Sequence, residues 1–307
     1  MHVAVFGAGA LGRVFGAHLA QVGITVTFIV RPGREHDRTP IRLERVEKAV
    51  SIALAQPVLA TTIARDADIV LLCVRREQLD QALLARLKGE TDCPIVVMSP
   101  MLPPTYDAWH GELGNRLVPG MPAIVAYQNE TGTVRYWLPA SKVLVEETRD
   151  TAPKVREFVD ALNRSGIRSK LEFGVHEINP ALTVALAPWF FSIGIAGTVA
   201  ALAENAELLE LTGKAAKECR GLASRMGSMP FVGSLSCLLS PGVVRMGARW
   251  MMKRKPEAVH YVDEHFGTKL AAQHHLMISD VLWIAGQKGV PCPSVENMRR
   301  WLEQRGA

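Results

Sequence analysis

The chain has 307 residues, 48% of them apolar and 21% charged. That is the balance of a globular protein with one large or two ordinary cores. The net charge is +5, and the basic residues are scattered apart from one cluster near 245–255, which argues against a nucleic-acid-binding class built on a continuous basic face. The five cysteines, Cys73, Cys93, Cys219, Cys237 and Cys292, are an odd number with no CxxC or His/Cys ligand spacing. They read as reduced thiols, neither a disulfide framework nor a metal site. The chain opens on a strand pattern with no signal-peptide pattern, so a cytoplasmic location is expected.

The first predicted strand, His2–Phe6, runs into Gly7-Ala8-Gly9-Ala10-Leu11-Gly12. An apolar-periodic helix over Ala10–Val22 and a second strand over Thr25–Val30 follow. This is the context that gives a GxGxxG pattern meaning as a dinucleotide-binding turn. The first glycine allows the tight reversal, and the second lets the backbone approach a pyrophosphate. The third lets helix and strand pack closely, and the free N–H groups at the helix start face the phosphates. About 20 residues after the glycines, where a carboxylate would hold the ribose of NAD, stand Arg31 and then Arg34. A guanidinium is a planar fork for a phosphate, so the expected cofactor is NADPH.

Gly33–Ala49 is polar and gives no clear assignment. Ala67–Val74 reads as a buried strand, Gln78–Leu87 as an amphipathic helix, and Pro94–Ser99 as another buried strand, the pattern of a parallel sheet covered on both faces. Thr133–Leu138 and Lys142–Glu147 read as a hairpin across Pro139-Ala140-Ser141, giving the sheet an antiparallel portion. A helix over Ala152–Ser165 and a short strand over Ser169–Phe173 follow. Beyond about residue 174 only helical periods remain: Ala181–Leu211, Gly213–Met226, Val243–Met252, Pro256–Gly286 and Val295–Gln304. Between Glu177 and Glu204 no residue is charged, long enough to span a bilayer. Pro180, Pro188 and the lack of flanking Lys or Arg favour a buried central helix of a helical domain. A second uncharged stretch, Met226–Val244, is broken by Gly and Pro. The expected architecture is α/β: an N-terminal Rossmann-type doubly wound sheet (1–173) that binds the cofactor, then an all-α C-terminal domain (174–307) for substrate and dimerisation.

These motifs together resemble the ketopantoate reductase (2-dehydropantoate 2-reductase) family. The resemblance is carried by the glycine-turn segment, by VLLCVRREQL at 70–79, by the order of the two domains, and by Gln287-Lys288-Gly289-Val290-Pro291-Cys292-Pro293 near the C-terminus. It implies a helical domain like that of 6-phosphogluconate dehydrogenase and NADPH-dependent reduction of a 2-oxo acid. It also puts Arg75 where a cofactor-binding lysine usually stands. The family uses an asparagine after the fourth strand, a lysine at the start of the helical domain and a glutamate on a late helix. Here Ser99 takes the asparagine's place, no lysine lies between Lys170 and Lys214, and Gln273 falls where the glutamate is expected. These departures from the family pattern point to a carbonyl or imine substrate other than ketopantoate.

A hydride adding to a carbonyl builds an alkoxide that needs an acid or cation beside it. The candidates for that role are His176, Glu177 and His275, with Asn179, His274, Asp280 and Lys269 behind them; a structural role is open for each. The expected cofactor contacts are Gly7, Ala8, Gly9, Ala10, Leu11, Gly12, Arg31, Arg75 and Ser99, the last either on the nicotinamide or capping the turn before Pro100. Arg245, Arg249, Lys253, Arg254 and Lys255, with Trp250, Met251 and Met252 between, read as a solvated helix face. The other reading is contact with an anionic lipid surface or an acidic substrate tail, and together with the two uncharged segments the stretch hints at a bulkier, more apolar small-molecule substrate. A homodimer through the uncharged helix is one possibility, no nucleic acid is expected, and membrane contact is not favoured. The alternative function is a non-catalytic NADPH-binding sensor or interaction protein.

Overall fold

The computed structural model describes residues 1–48, 50–227 and 240–306. Cys237 and most of the Met226–Val244 stretch lie outside them, as does the side chain of Lys269. The chain forms two compact units, Met1–His176 and Glu177–Ala307.

The first unit begins β1 (His2–Phe6), α1 (Ala10–Gln21), β2 (Thr25–Ile29), β3 (Ile41–Arg45), β4 (Val50–Leu54), β5 (Val58–Ala60) and β6 (Ile69–Leu72). It continues with α2 (Gln81–Glu90), β7 (Ile95–Val97), α3 (Pro103–Leu113), β8 (Leu117–Met121), β9 (Val125–Gln128) and β10 (Val134–Trp137). It closes with β11 (Val143–Glu146), α4 (Pro153–Arg164) and β12 (Ser169–Glu172). Eight strands form one sheet in the order β12-β11-β8-β7-β6-β1-β2-β5. The six strands from β8 to β5 are all parallel, and β11 runs antiparallel to β8. The order reverses direction at β1, with β2 on one side and β6 on the other, which makes the ends of these two strands the topological switch point. Strands β1, β6 and β7 are apolar on both faces because helices cover both: α1 and α4 pack on one side, α2 and α3 on the other.

A second, four-stranded sheet, β4-β3-β10-β9, packs on the outer side of α1. Its β3 and β4 fall in and just beyond the stretch that sequence left unassigned. It also corrects the expected hairpin. Strand β10 pairs with β9 and β3 in this small sheet, whereas β11 pairs with β8 and β12 in the large one. The burial patterns explain the separation. Strand β10 buries only Val134 and Tyr136, the alternation of a one-sided sheet, while all four residues of β11 are buried. Pro139, with no N–H to give a ladder, lies in the crossover between layers.

Helix α1 is therefore enclosed. Its His18 is buried, with Nδ1 2.8 Å from the Ser165 carbonyl and Nε2 2.9 Å from the Tyr136 hydroxyl. Nδ1 donates to that carbonyl, and in the neutral ring Nε2 accepts from Tyr136, so both ring nitrogens have partners. Burial lowers its pKa.

The second unit is helical: α5 (Val175–Ala196, which starts two residues before the unit boundary), α6 (Val199–Glu204), α7 (Ala206–Ala223), α8 (Pro241–Arg254), α9 (Pro256–Val262), a π-helical segment (Asp263–Lys269), α10 (Ala271–Gln287) and α11 (Pro293–Gly306). The expected continuous helix Ala181–Leu211 is broken twice. Gly197 adopts φ +90°, and the side chains of Thr198 and Asn205 accept from the amides of Ala201 and Leu208, each starting a new helix. Helix α5 is long and apolar enough to cross a membrane, yet its Ala181, Val184, Ala185, Ala187 and Phe191 are fully buried in the protein. That fits the reading of it as a core helix.

Two predictions follow from these contacts. The Glu218 carboxylate accepts from the amides of Ser294 and Val295 at the start of α11, each at 3.0–3.2 Å. Glu218→Ala leaves those donors open and is expected to cost about 1–2 kcal/mol, read as a drop of a few degrees in Tm. His274 is fully buried, and burial pushes its pKa down to about 4. Its folded pKa lies below the unfolded value of about 6.5. Its contribution is therefore complete above pH 6.5 and is lost as pH falls from 6.5 towards 4. His274→Leu is expected to flatten that limb of a stability–pH curve measured by denaturant unfolding.

Candidate functional site

At the switch point, the chain leaves β1 through Gly7 (φ +102°), a conformation glycine adopts without strain. A Cβ here would sit 2.6 Å from the Cys73 carbonyl oxygen at the end of β6, and one on Gly12 would sit 2.1 Å from the Gly7 carbonyl oxygen. These two glycines fit strand, turn and helix together. Gly9 differs: a Cβ on it would meet nothing within 4 Å. Its bare face opens on a cavity of about 690 Å³ lined by Gly7, Ala8, Gly9, Arg31 and Arg75, and by Val30, Leu59 and Val74 among others. That volume suits a cofactor or small ligand.

Gly9 is the N-cap of α1, no side chain caps this helix, and its first turn carries no acid. Ala10, Leu11 and Gly12 form that first turn, so their N–H groups are the unfilled donors of a helix start. An anion laid across Gly9 would meet these donors and the positive end of the helix dipole.

Five arginines line the cavity, and four of them are engaged. Arg13 donates from Nε to the Ala8 carbonyl at 2.9 Å; burial lowers its pKa, and Asp37 opposes the shift. Arg34 pairs with Asp37 at 3.0 Å, and Arg75 lies 3.7 Å from Glu77. Arg86 pairs with Glu90 at 2.6 Å and lies over the Phe6 ring. Of these five, the guanidinium of Arg31 alone has no partner among the described residues; it is exposed just beyond β2. Sequence reasoning missed Arg13, Asp37, Thr39, Arg86 and Gln128. Asp37 lies in the unassigned polar stretch, where no periodicity marks it. Hydrogen bonds from the side chain and amide of Thr39, then from Arg34, hold its carboxyl down to about 2. It is therefore a fixed negative charge on the cavity wall.

Ser99 is not among the cavity-lining residues. It is buried, and its hydroxyl donates to the Val74 carbonyl, tying the end of β7 to the chain leaving β6.

The proton-donor candidates are spread out. His176 lies at the start of α5, one-third exposed, with Nδ1 3.1 Å from a carboxylate oxygen of buried Glu146. The same carboxylate accepts from the amides of Gly174 and His176 at 3.0 and 2.8 Å. The ring stacks on Tyr106, centroids 5.1 Å apart, and lines a small cavity with His110, Asn115 and Thr148. Glu146 ends β11, four strand spacings from β1, or about 19 Å at roughly 4.8 Å per step. His176 is thus well removed sideways from the glycine turn. Glu177 is exposed beside Gly227. On α10 it is His274 that faces inward, while His275 is exposed. Among the described residues no cluster of His, Cys, Asp or Glu is suited to hold a metal.

Comparison with known proteins adds to this geometry. Residues 3–100 match the family model described as ketopantoate reductase PanE/ApbA. No curated protein matches the chain. Among solved structures, a 2-dehydropantoate 2-reductase from Geobacter metallireducens GS-15 is similar with a TM-score of 0.76 at 17% identity, covering 99% of this chain and 100% of that one. A PanE/ApbA family ketopantoate reductase from Ralstonia eutropha JMP134 gives 0.73 at 16%, covering 99% and 98%. A D-mandelate dehydrogenase, solved with NADH and anilino(oxo)acetate, gives 0.69 at 14%, covering 99% and 97%. Residues 3–100 thus carry the ketopantoate reductase PanE/ApbA sequence pattern, and the chain over its whole length has the fold of the ketopantoate reductases.

Proposed function

We propose that the protein is an NADPH-dependent oxidoreductase that transfers a hydride to a carbonyl or imine substrate other than ketopantoate. The observation that carries this reading is the unpartnered guanidinium of Arg31, in the same cavity as the bare face of Gly9 and the uncapped start of α1. The donor set fits a dinucleotide. In this reading Gly7, Ala8 and Gly9 with the first-turn amides of Ala10, Leu11 and Gly12 hold the pyrophosphate, Arg31 takes the 2′-phosphate, and Arg75 covers the outer wall. Bound NADPH supplies the hydride. A D-mandelate dehydrogenase of the same fold was solved with NADH, so the choice between the two cofactors falls to Arg31.

Of the proton-donor candidates, His176 has the best-built surroundings. The Glu146 carboxylate lies 3.1 Å from Nδ1, and stacking on Tyr106 limits the ring's rotation. Glu146 is then a positioning residue. His275 and Glu177 are exposed and lack such support. The missing lysine between Lys170 and Lys214 favours a second reading, a non-catalytic NADPH-binding protein, which predicts binding without turnover.

Fluorescence titration tests the first step. Arg31→Ala is expected to weaken NADPH binding about 10- to 100-fold, the loss of about 1.5–3 kcal/mol from a charge-assisted pair, and to leave NADH within about twofold. Failure of the unaltered protein to bind either nucleotide would end the oxidoreductase reading. Once a reducible substrate is found, His176→Ala is expected to lower kcat at least tenfold with NADPH affinity unchanged. Rapid ketopantoate turnover would show that the replaced family residues had been misjudged.

A further inference from the structure

Helix α8 carries apolar residues on two sides, and only one of them is covered. On the inner side Ala248, with the half-buried Met251 and Met252, packs with Val199 and Ala203 of α6 and with Val259 and Val262 of α9. Arg245 donates to the Ala203 carbonyl at 2.9 Å and Arg249 pairs with Glu204 at 3.0 Å, so two of its cations tie α8 to α6. On the open side stand Val243, Met246 and Trp250, which are 47%, 68% and 58% exposed. At about 100° per residue their positions fall within an arc of roughly 60°, a single stripe along the helix. One exposed apolar residue is ordinary on a protein surface. Three in line, rimmed by charge, mark a contact surface.

The rim has one sign. By the same helical angle Arg249 and Lys253 border the stripe on one edge and Arg254 on the other. Lys253, Arg254 and the following Lys255 are exposed and have no ion-pair partner among the described residues. From 219 to 256 the sequence contains neither Asp nor Glu, and Glu257 is the first acid beyond. Cations near a helix carboxyl end are favourable in themselves, which accounts for the charges and leaves the open tryptophan unexplained. A second copy seated on the stripe through the same helix would set cations against cations, with no acid on α8 to answer them.

We propose that the open side of α8 docks on an anionic lipid surface. An amphipathic tryptophan suits the headgroup boundary, and Val243 and Met246 beside it reach the acyl boundary. Lys253, Arg254 and Lys255 meet the lipid phosphates, the counter-charge that the neighbouring sequence does not supply. Sequence alone reads these cations as a solvated helix face; the apolar stripe lying beside them on the same open side is what changes that reading. The contact is peripheral, because the inner side of α8 stays packed on α6 and α9. It does not depend on the oxidoreductase reading.

The test sediments the full chain with vesicles of phosphatidylcholine alone and of phosphatidylcholine containing about 30% phosphatidylserine. Binding to the anionic vesicles is expected to be about tenfold tighter or more, and to fall steeply at about 0.5 M salt. The triple variant Lys253→Gln/Arg254→Gln/Lys255→Gln and the double variant Met246→Gln/Trp250→Gln are each expected to weaken it roughly 10- to 100-fold. Their melting temperatures are expected to stay unchanged, since all five side chains are exposed. No preference for the anionic vesicles, or binding undiminished in the folded double variant, would overturn the proposal. A lipid-free dimer in sedimentation velocity that the double variant abolishes would also overturn it, by making the stripe an interface between copies.

Discussion

Helix α1 has no free side, and the first unit is arranged around that constraint. One face lies on the large sheet, where Gly16 leaves no room for a Cβ against the Phe28 ring. The other meets the small sheet and α4, through Val14, Phe15 and the His18 bridge to Tyr136 and Ser165. A helix held this way cannot pivot, so its amino end stays fixed at the switch point. The glycine turn is tight for the same reason: the carbonyl of Gly7 and the backbone of Gly12 are in contact, and a side chain would separate them. Positioning of the open first-turn amides of α1 is thus a consequence of core packing at the far end of the same helix.

The electrostatics of the cavity follow a simple rule. Arginines collected near one helix start would repel one another unless given counter-charges, and four of the five are given carboxylate or carbonyl partners from their own neighbourhood. Arg31 keeps its charge unspent. Asp37 sits within the same wall with its carboxyl held ionised by Thr39 and Arg34, so the cavity is not uniformly positive. An anionic ligand meets Arg31, an uncapped helix and a local negative charge. That combination restricts where along the cavity its most charged group can lie.

Much of this was legible from residues alone, for physical reasons that differ by element. The glycine spacing, the apolar runs of β1, β6 and β7, and the helical periods after residue 174 report burial directly, since a strand covered on both faces must be apolar throughout. The small sheet was not legible. Strand β3 alternates over only five residues and β4 buries only Ile52, with Arg42, Glu44 and Ser51 on their open side, and β10 and β9, which complete the sheet, are distant in sequence. The hairpin misassignment has the same origin: two adjacent strands with a short loop look paired until the rest of the chain offers each a better neighbour. At the site, Gly9 and Arg31 were found by motif and position. Asp37, in an irregular loop, had no pattern to announce it, and the inward turn of His274 over His275 depends on helix rotation that a mixed sequence leaves open.

The split between β10 and β11 also bears on how the chain reaches its final form. Strand β3 pairs with β10 through Leu43 and Val134, partners roughly ninety residues apart, with the middle of the large sheet encoded between them. Pairings of that separation close late, because the entropy of the intervening loop must be overcome before the contact returns anything. The small sheet is therefore expected to be the last layer added, settling onto α1 after the large sheet has formed around it. Until then α1 shows its apolar outer side to water, and the newly made protein passes through a stage in which it is sticky on the side opposite its large sheet.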